Sequence, residues 1–511
     1  MFISGRDYRE SLKRYRPRVY VNGDLVGSVA DEPRLGAGVN AVALTYDYAL
    51  REELTPLMRG GSAGSVNRML AVPSTSEDLL NKLEAVRLVC QETGCAQRYL
   101  GGDAFAAIRS ATAQMDADLG TDYRARFEAY AESAWAEDLA IGIAMTDGKG
   151  DRSERPHAQA NPDVYLHIAA RRTDGIVLRG VKAIVTGAPY MHELLVMPCR
   201  NMPEADRDFA VCCAVPIDAR GMTIVSRPAG RPGEAAARFS GRYGQATAVV
   251  VFEDVFVPWD RDFLAGEWQH SGAFTYNYAT HHRHTCIAAR AGFGDLLIGA
   301  GALMTEANGI DLDRAGNLQE SMVELIKIVE GFFACGVAAS TYCHVDGAGV
   351  AVPDPVFANV GKLLLATQIY DMHRLAHHVS GGLVVALPGP DEDHNPATYG
   401  KLSELLAARS DIPYDRRIEV ARFIEDLTAS NQAGWYSLIS LHGGGSPEAM
   451  KMEIWRNYPL GSKVDLVERL LERSVLADGR RAITRNRQPG RCCAEGCMVP
   501  LPEAAPLTLK K

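Results

Sequence analysis

Residues 163–188, DVYLHIAARRTDGIVLRGVKAIVTGA, set the fold class because they are rich in β-branched residues, unlike the sequence on either side. The pattern predicts strands over 163–171 and 176–186, and Thr173-Asp174-Gly175 between them is typical of a hairpin turn. Further strands are predicted over 193–199, 209–217, 222–227 and 246–256, and Pro258 closes the region. The centre of the chain is therefore predicted to be a β domain.

Helical patterns lie on both sides of this domain. Upstream, 76–90 carries an apolar stripe preceded by Ser74 and Glu77 at capping-box spacing, and 123–144 is predicted to be another long helix. Downstream, 283–307 and 318–345 are too apolar for surface helices, so they predict a bundle, and Asn308-Gly309 ends the first of them. The fold class is α+β.

This order divides the chain into four predicted parts. They are an N-terminal helical domain (1–144), a central β domain (145–270), a C-terminal helical bundle (271–473) and a tail rich in Cys, Pro and Arg (474–511). A chain of 511 residues is long enough for several domains with substantial cores.

Composition excludes several classes of function. A formal net charge of −9 argues against binding to nucleic acid or to an anionic membrane surface, because both require a basic face. The N-terminus is polar, and no uninterrupted apolar run has the length of a membrane span, so we expect a cytoplasmic protein. The 11 cysteines then indicate reduced thiols or metal ligands, and the adjacent pair Cys212 and Cys213 is interpreted as packing.

Two basic segments are candidate binding sites. In 146–153, two glycines permit close approach of a ligand, and Lys149 and Arg152 could hold a pyrophosphate; the alternative is a charged surface loop. In 280–286, THHRHTC, several basic or titratable groups are placed at the predicted start of an apolar helix, which suits an anionic ligand. The alternative there is a solvated helix cap with exposed histidines.

Two segments that contain cysteine are further candidate sites. Cys95 and Tyr99 are four residues apart, so on a helix they would share a face. Cys492, Cys493 and Cys497 could bind zinc or iron, but a fourth ligand is not evident, so an inert tail is the favoured interpretation.

Taken together, these segments resemble the 4-hydroxybutyryl-CoA dehydratase branch of the 4-hydroxyphenylacetate 3-monooxygenase family. The resemblance spans roughly residues 1–470 and implies an acyl-CoA-dehydrogenase-like fold in a homotetramer or homodimer. The matching segments are GCAQRYLGGDA, GTDYRARF, AMTDGKGDRS, the central segment quoted above, VVFEDVFVPWDR, GFGDLLIGA and HGGGSPEAM.

The resemblance implies FAD as cofactor, bound by three parts of the chain. These are the loop 146–152, Thr186, and the glycine-rich turn 442–446, whose small residues permit close approach to a cofactor. The residues expected to contact FAD are Thr146, Lys149, Asp151, Arg152, Thr186, His442, Gly443, Gly444 and Ser446.

The dehydratases resembled here carry a four-iron four-sulfur cluster bound by three cysteines and one histidine. Two of those positions match, at Cys95 and His282, but the other two fall at Tyr99 and Ala289, which cannot supply a thiolate. The alternative is a rearranged site of Cys90, Cys95, His282 and Cys286, but on a helix Cys90 would point away from Cys95. The position of the dehydratases' proposed glutamate base falls at Thr247. We therefore expect no metal cluster.

The phenol-binding residues of the hydroxylase branch are not matched either, since Gly102 is followed by Asp103 and Ala104. The first interpretation is a cluster-free FAD oxidoreductase, a monooxygenase supplied with reduced FAD by a separate reductase and acting on a small organic substrate. His282, Tyr99, Cys95 and Arg290 are the predicted catalytic residues. The alternatives are a dehydratase or isomerase that acts on an acyl thioester, and a flavin-binding homologue without catalysis.

Overall fold

The computed structural model describes residues 2–61, 64–228 and 237–471, in which helices come first, strands second and helices last. The predicted α+β order is therefore confirmed. The elements before the main sheets are α1 (Gly5–Leu12), β1 (Arg18–Val21), β2 (Asp24–Leu25), α2 (Pro33–Leu50), α3 (Thr55–Met58), β3 (Arg59–Gly60), β4 (Val66–Asn67), α4 (Ser76–Thr93), α5 (Tyr99–Leu119) and α6 (Tyr123–Ala136).

The elements of the central region are mostly strands, close to those predicted. They are β5 (Ile141–Ala144), β6 (His167–Arg171), β7 (Gly175–Thr186), β8 (Glu193–Val196), β9 (Val211–Pro216), β10 (Met222–Arg227), α7 (Ser240–Tyr243), β11 (Thr247–Pro258) and β12 (Asp262–Ala265).

The remaining elements are mostly helices. They are α8 (Ser271–Ala307), α9 (Gly316–Thr341), β13 (His344–Val345), β14 (Ala351–Val352), α10 (Pro355–Ser380), α11 (Tyr399–Leu405), α12 (Tyr414–Thr428), α13 (Asn431–His442), α14 (Pro447–Asn457) and α15 (Leu460–Leu470). The described residues divide into two units after Asn457, and the second unit contains α15. The boundaries predicted at residues 144 and 270 stay predictions, and the tail 474–511 lies outside the described residues.

The strands form two main sheets. One has six strands in the order β2-β1-β10-β11-β7-β6, and the other has four in the order β12-β9-β8-β5. One core lies between the sheets and a second among the helices. Cys212 and Cys213 on β9 point into these two different cores and are fully buried, which confirms that they are packing residues.

Several boundaries differ from the prediction. Residues 137–144 do not continue α6, because the chain turns at Asp138 (φ 51°) and enters β5. Pro162–Val164 form a short 3₁₀ turn, and β6 begins at His167 instead of the predicted residue 163. The N-cap of α4 is Thr75, whose hydroxyl accepts from the amide of Asp78, not Ser74. The first strand pair, β1 and β2, was not predicted.

The longest helix, α8, begins at Ser271 instead of the predicted residue 283. It contacts α4, α5, α9, α10 and α12, so it is the central helix of the bundle. The segment Trp268–Ala307 is the one helix of the described residues that is long and apolar enough to cross a membrane, but 67% of its most apolar window is buried inside the protein. Such burial is typical of a core helix.

Candidate active site

His282 lies one third of the way along α8, not at a helix start. The anion-binding argument based on a helix N-terminus therefore does not apply to it. Its ring stacks on Tyr278 with centroids 5.4 Å apart, and its side chain is 12% exposed. The neighbouring His281 and His284 are buried, and burial lowers their pKa values to about 3 and about 4. Of these three histidines, only His282 is placed to be charged near neutral pH.

A buried carboxylate, Asp103 on α5, anchors His282. Lys82 on α4 donates to one oxygen (2.7 Å), Thr285 donates to the other (2.6 Å), and His282 Nδ1 lies 3.8 Å from the second oxygen. Burial acts to raise the pKa of Asp103, but Lys82 and His282 outweigh it and hold the carboxyl well below its usual range. Asp103 is therefore an anion that faces two cations.

Cys286, one turn after His282, is the second anionic partner of the imidazole. Its Sγ lies 3.5 Å from Nε2 and 3.7 Å from Nδ1. Burial alone would raise the pKa of this thiol, but His282, Lys362 and Arg290 lower it to about 7. For His282, burial acts to lower the pKa, and Cys286 and Asp103 reverse this and raise it to about 9. Each residue therefore favours the charged form of the other, so that a Cys286 thiolate lies beside a His282 imidazolium.

Cys95, Tyr99 and Arg290 lie together in the same region. The Cys95 Sγ is 3.6 Å from the Tyr99 hydroxyl and 3.9 Å from Arg290 Nη1, and Gln97 donates to it at 2.6 Å. The predicted shared helix face is wrong: α4 stops at Gly94 (φ 65°), Cys95 lies in the connection, and α5 begins at Tyr99. Tertiary packing, not helical spacing, brings the two side chains together.

Lys362 and Ser440 complete the region, and neither was predicted from the sequence. Lys362 on α10 donates to the Ser440 carbonyl (2.7 Å), and Arg290 Nε donates to the Ser440 hydroxyl (2.8 Å). The Arg290 guanidinium also lies 4.5 Å from the centroid of the Tyr436 ring. Burial lowers the pKa of Lys362 to about 7. A charged residue within an apolar helical stretch, as at Lys82, Asp103 and Lys362, was the signal available in the sequence.

Asp147 fixes the position of the loop after β5. Its buried carboxylate pairs with Lys182 (2.7 Å) and accepts from the Cys199 thiol (3.0 Å). Beyond it, Lys149 (φ 76°) and Gly150 (φ 45°) adopt left-handed backbone conformations, and Lys149 and Arg152 are exposed. Thr146 accepts from the Ala183 amide (2.7 Å). Asp151 accepts from the amide and the hydroxyl of Ser153.

Thr186 ends β7 beside Thr247, the first residue of β11. Their hydroxyl oxygens are 3.4 Å apart, and Trp435 on α13 donates its indole N–H to Thr247 (2.8 Å). Thr247 therefore contacts the indole of Trp435 and the hydroxyl of Thr186. Thr186 and Thr247 place two hydroxyl groups beside α13.

The glycine-rich turn after α13 lies against His282 rather than against Thr186. The Gly444 carbonyl accepts from Arg283 Nε (2.9 Å), and Gly444 has φ 77°. A Cβ at Gly444 would lie 3.4 Å from His282 Cδ2, so a glycine permits this close approach. His442 and Ser446 are exposed, and Gly443 is half-buried. The residues predicted to bind FAD therefore lie in three places: the loop after β5, the end of β7 at Thr186, and this turn beside His282.

The two positions that lack cluster ligands are both buried. Ala289 is fully buried, and Tyr99 has its pKa raised by burial. Among residues 2–61, 64–228 and 237–471, no group of three or more His, Cys, Asp or Glu side chains is placed to hold a metal ion. The three tail cysteines, Cys492, Cys493 and Cys497, lie outside those residues.

Comparison with known proteins gives matches over nearly the whole chain. The models for the 4-hydroxyphenylacetate 3-hydroxylase N-terminal and C-terminal regions match residues 4–264 and 271–472. A 4-hydroxybutyryl-CoA dehydratase/vinylacetyl-CoA-Δ-isomerase from Clostridium aminobutyricum is 34% identical, with 92% of this chain and 99% of that protein covered.

Solved structures share the fold. An oxygen-tolerant archaeal 4-hydroxybutyryl-CoA dehydratase from N. maritimus superposes with a TM-score of 0.88 at 34% identity, covering 93% of this chain and 96% of that one. The oxygenase component of 4-hydroxyphenylacetate 3-monooxygenase, solved with FAD, has a TM-score of 0.82 at 21% identity, with coverage of 92% and 98%. These likenesses confirm the predicted acyl-CoA-dehydrogenase-like fold. The chain belongs to the 4-hydroxyphenylacetate 3-hydroxylase family.

Proposed function

We propose that this protein is an FAD-dependent enzyme without an iron–sulfur cluster, and that it acts as the oxygenase of a two-component monooxygenase on a small organic substrate. The observation that carries the proposal is His282, held between Asp103 and Cys286 with its pKa raised to about 9. At neutral pH such an imidazolium donates a proton or a hydrogen bond rather than accepting one. The alternative role of general base is correspondingly disfavoured.

The residues present fit a flavin. The loop after β5, with left-handed backbone at Lys149 and Gly150, exposes the side chains of Lys149 and Arg152, and such cations are suitable partners for phosphate groups. Bound FAD would supply two-electron redox chemistry and, when reduced, reaction with oxygen. Thr146, Lys149, Asp151, Arg152 and Thr186 would bind it from the β side. The turn residues His442, Gly443, Gly444 and Ser446 would border it next to His282.

The roles of the chain's own residues follow from the contacts. His282 holds a proton at the nitrogen nearest the substrate, while Asp103 fixes the ring and compensates its charge. Tyr99 and Cys95 line the same region. Burial raises the pKa of Tyr99, so its hydroxyl stays protonated. Arg290 supplies a fixed cation. A separate flavin reductase would deliver the reduced cofactor.

A second candidate, a dehydratase or isomerase of acyl thioesters, is favoured by the 34% identity to the clostridial and archaeal dehydratases. Two features oppose it. The proposed base position is Thr247, which accepts a hydrogen bond from Trp435 and carries no carboxylate. Tyr99 and Ala289 occupy two of the four cluster positions.

The test is a comparison of cofactor content and oxygen reactivity in the purified protein. We expect FAD without stoichiometric iron, and a delayed return of oxidised-flavin absorbance when the anaerobically reduced protein meets oxygen. Iron at cluster stoichiometry would contradict the cluster-free proposal. Rapid single-phase reoxidation, together with anaerobic dehydration of a hydroxyacyl thioester, would establish the second candidate instead. His282→Ala is expected to abolish turnover while FAD stays bound, which separates its role in chemistry from a role in cofactor binding.

A further inference from the structure

Tyr278 is a buried tyrosine whose hydroxyl has no hydrogen-bond partner in the part of the chain that the structure describes. It lies on α8 one turn before His282, is 5% exposed, and stacks its ring on the imidazole at an interplanar angle of 17°. By contrast, the buried Tyr436 donates to the Gly94 carbonyl (2.9 Å). Buried polar groups are normally paired, so an unpaired hydroxyl beside the central histidine of the site requires an explanation.

The neighbouring carboxylate does not use this hydroxyl. Asp103 accepts from Lys82 at one oxygen and from Thr285 at the other. Burial raises the pKa of Tyr278 well above its usual value, and the negative charges of Asp103 and Cys286 raise it further. The phenol therefore stays protonated at neutral pH, and its O–H group is available as a donor.

The Tyr278 hydroxyl and the His282 proton belong to the same small region. The centroids of the two rings are 5.4 Å apart, and the charges of Asp103 and Cys286 act on both residues. The side chain of His282 is 12% exposed and borders the glycine-rich turn, where a Cβ at Gly444 would lie 3.4 Å from His282 Cδ2. A ligand that binds against His282 would therefore lie close to two donors.

We propose that Tyr278 is a further catalytic residue of this site, and that its hydroxyl and the His282 imidazolium donate to the same reacting oxygen atom. The inference rests on the proposed function, in which this atom comes from dioxygen. Two fixed donors stabilise negative charge that develops on an oxygen, because they need no reorganisation when the charge appears. Tyr278 keeps its proton throughout, so it positions the oxygen and stabilises its charge.

The experiment compares Tyr278→Phe with Tyr414→Phe in the purified, FAD-loaded protein. Tyr414 on α12 is the matched control, because it is 4% exposed and its hydroxyl also has no partner among the described residues. Its charged neighbours, among them Asp393 and Arg422, are not residues of the site. Both substitutions remove an unpaired hydroxyl and keep the ring, so both variants should melt at the wild-type temperature or slightly above it. Only Tyr278→Phe should shorten the delay before oxidised-flavin absorbance returns in oxygen, by about tenfold or more.

The two variants separate a catalytic role from a structural one. An unchanged delay in Tyr278→Phe would overturn the proposal. So would a melting temperature below that of Tyr414→Phe, because the hydroxyl would then stabilise the fold. If the wild type shows no delay but dehydrates a hydroxyacyl-CoA thioester anaerobically, the proposed function fails, and the reacting oxygen is that of the departing hydroxyl group. A dehydration rate about tenfold lower in Tyr278→Phe alone would then support its role, and equal rates in the two variants would overturn it. A wild type with neither activity would overturn both proposals.

Discussion

At the scale of single residues, the chemistry of this site depends on how His282 and Cys286 share a proton. One helical turn separates them, and their side chains contact at 3.5 Å. Burial by itself raises the pKa of a thiol, and at Cys90 it outweighs the opposing charge of Arg290. Here His282 and the cations Lys362 and Arg290 lower the pKa of Cys286 to about 7. Position, not residue type, makes this cysteine different.

We therefore expect Cys286 to be the most rapidly alkylated buried cysteine in the described chain. In brief iodoacetamide treatment near pH 8, peptide mass spectrometry should find Cys286 modified and Cys90 unmodified. His282→Gln removes the positive charge, raises the pKa of the thiol, and should slow alkylation at neutral pH roughly tenfold. An unchanged rate in that variant would show that His282 does not stabilise the thiolate.

The sequence identified only part of this constellation. His282, Cys95, Tyr99 and Arg290 were predicted, and the structure brings all four into one region, although their roles stay predictions. Lys82, Asp103, Lys362 and Ser440 were missed, because they come from four different helices and no local spacing relates them. Periodicity reports which face of a helix is buried, but not which buried charges on separate helices meet.

At the scale of elements, the position of α8 depends on glycines that permit close helix contacts. A Cβ at Gly292 would lie 2.5 Å from the Arg87 carbonyl oxygen and 2.8 Å from Cys90, both on α4. Backbone cannot move aside as a flexible side chain can. Gly299, two turns further along the same helix, has no atom within 4 Å of the corresponding position and is exposed.

Gly292→Ala is therefore expected to lower the free energy of unfolding by about 3 kcal/mol, as α4 and α8 are forced apart. Gly299→Ala should raise it by up to about 1 kcal/mol, because alanine favours the helix and nothing obstructs its methyl group. Denaturant unfolding followed by circular dichroism measures both. Similar effects of the two substitutions would contradict the close approach of α4 and α8.

The ends of the helices and strands show which parts of the fold the sequence pattern predicted and which it did not. The strands β7, β9, β10 and β11 were predicted within two residues, since alternation and β-branching are local properties. The first three turns of α8 were missed because they carry Thr275, Asn277 and Thr280, which are poor helix formers. Tertiary burial stabilises them in spite of this low propensity. Residues 141–144 were predicted as helix but pair with β8.

Asp262, the first residue of β12, makes the stability of this strand depend on pH. Neither of its carboxyl oxygens has a hydrogen-bond partner, and burial raises its pKa from 3.8 to about 8. Between these values the folded protein holds a proton that the unfolded chain releases. Stability is therefore full at acidic pH and is lost as the pH rises toward 8, by at most about 1.4 kcal/mol per unit.

Asp262→Asn cannot ionise, so its melting temperature should fall less than that of the wild type between about pH 5 and about pH 8. Asp260→Asn, at an exposed position two residues earlier, is the control and should follow the wild-type profile. Differential scanning calorimetry across this range measures the two slopes. Parallel profiles for wild type and Asp262→Asn would show that Asp262 is ionised in the folded protein.

At the scale of the whole molecule, the N-terminal region contributes a strand to the six-stranded sheet of the central β region. β1 pairs in parallel with β10, and Val21, opposite Ser226, is fully buried in the core between the sheets. Arg98, at the start of α5, bonds the Asp138 carbonyl (3.1 Å) that precedes β5 and lies over the ring of Tyr46 on α2. A strand pairing therefore crosses residue 144, whereas the buried Arg98 connects parts of the N-terminal region, and the domain boundary there stays a prediction.

This continuity predicts that damage at the N-terminal strand reaches the cofactor. Val21→Asp places an unpaired carboxylate in the core between the sheets, and we expect a loss of roughly 3 kcal/mol or more. Leu25→Asp on β2 is the matched control, because Leu25 is 60% exposed and its change should stay within about 0.5 kcal/mol.

Two signals followed together on heating give the test: helix content by circular dichroism and flavin release by fluorescence. In Val21→Asp both transitions should move to the same lower temperature, because β10 and β11 connect β1 to β7, which ends at Thr186. In Leu25→Asp neither should move. If Val21→Asp lowered only the flavin transition and left the helical transition in place, the sheet and the bundle would unfold independently. The flavin would then depend on the sheet alone, and the helices carrying His282 would be a separate cooperative unit.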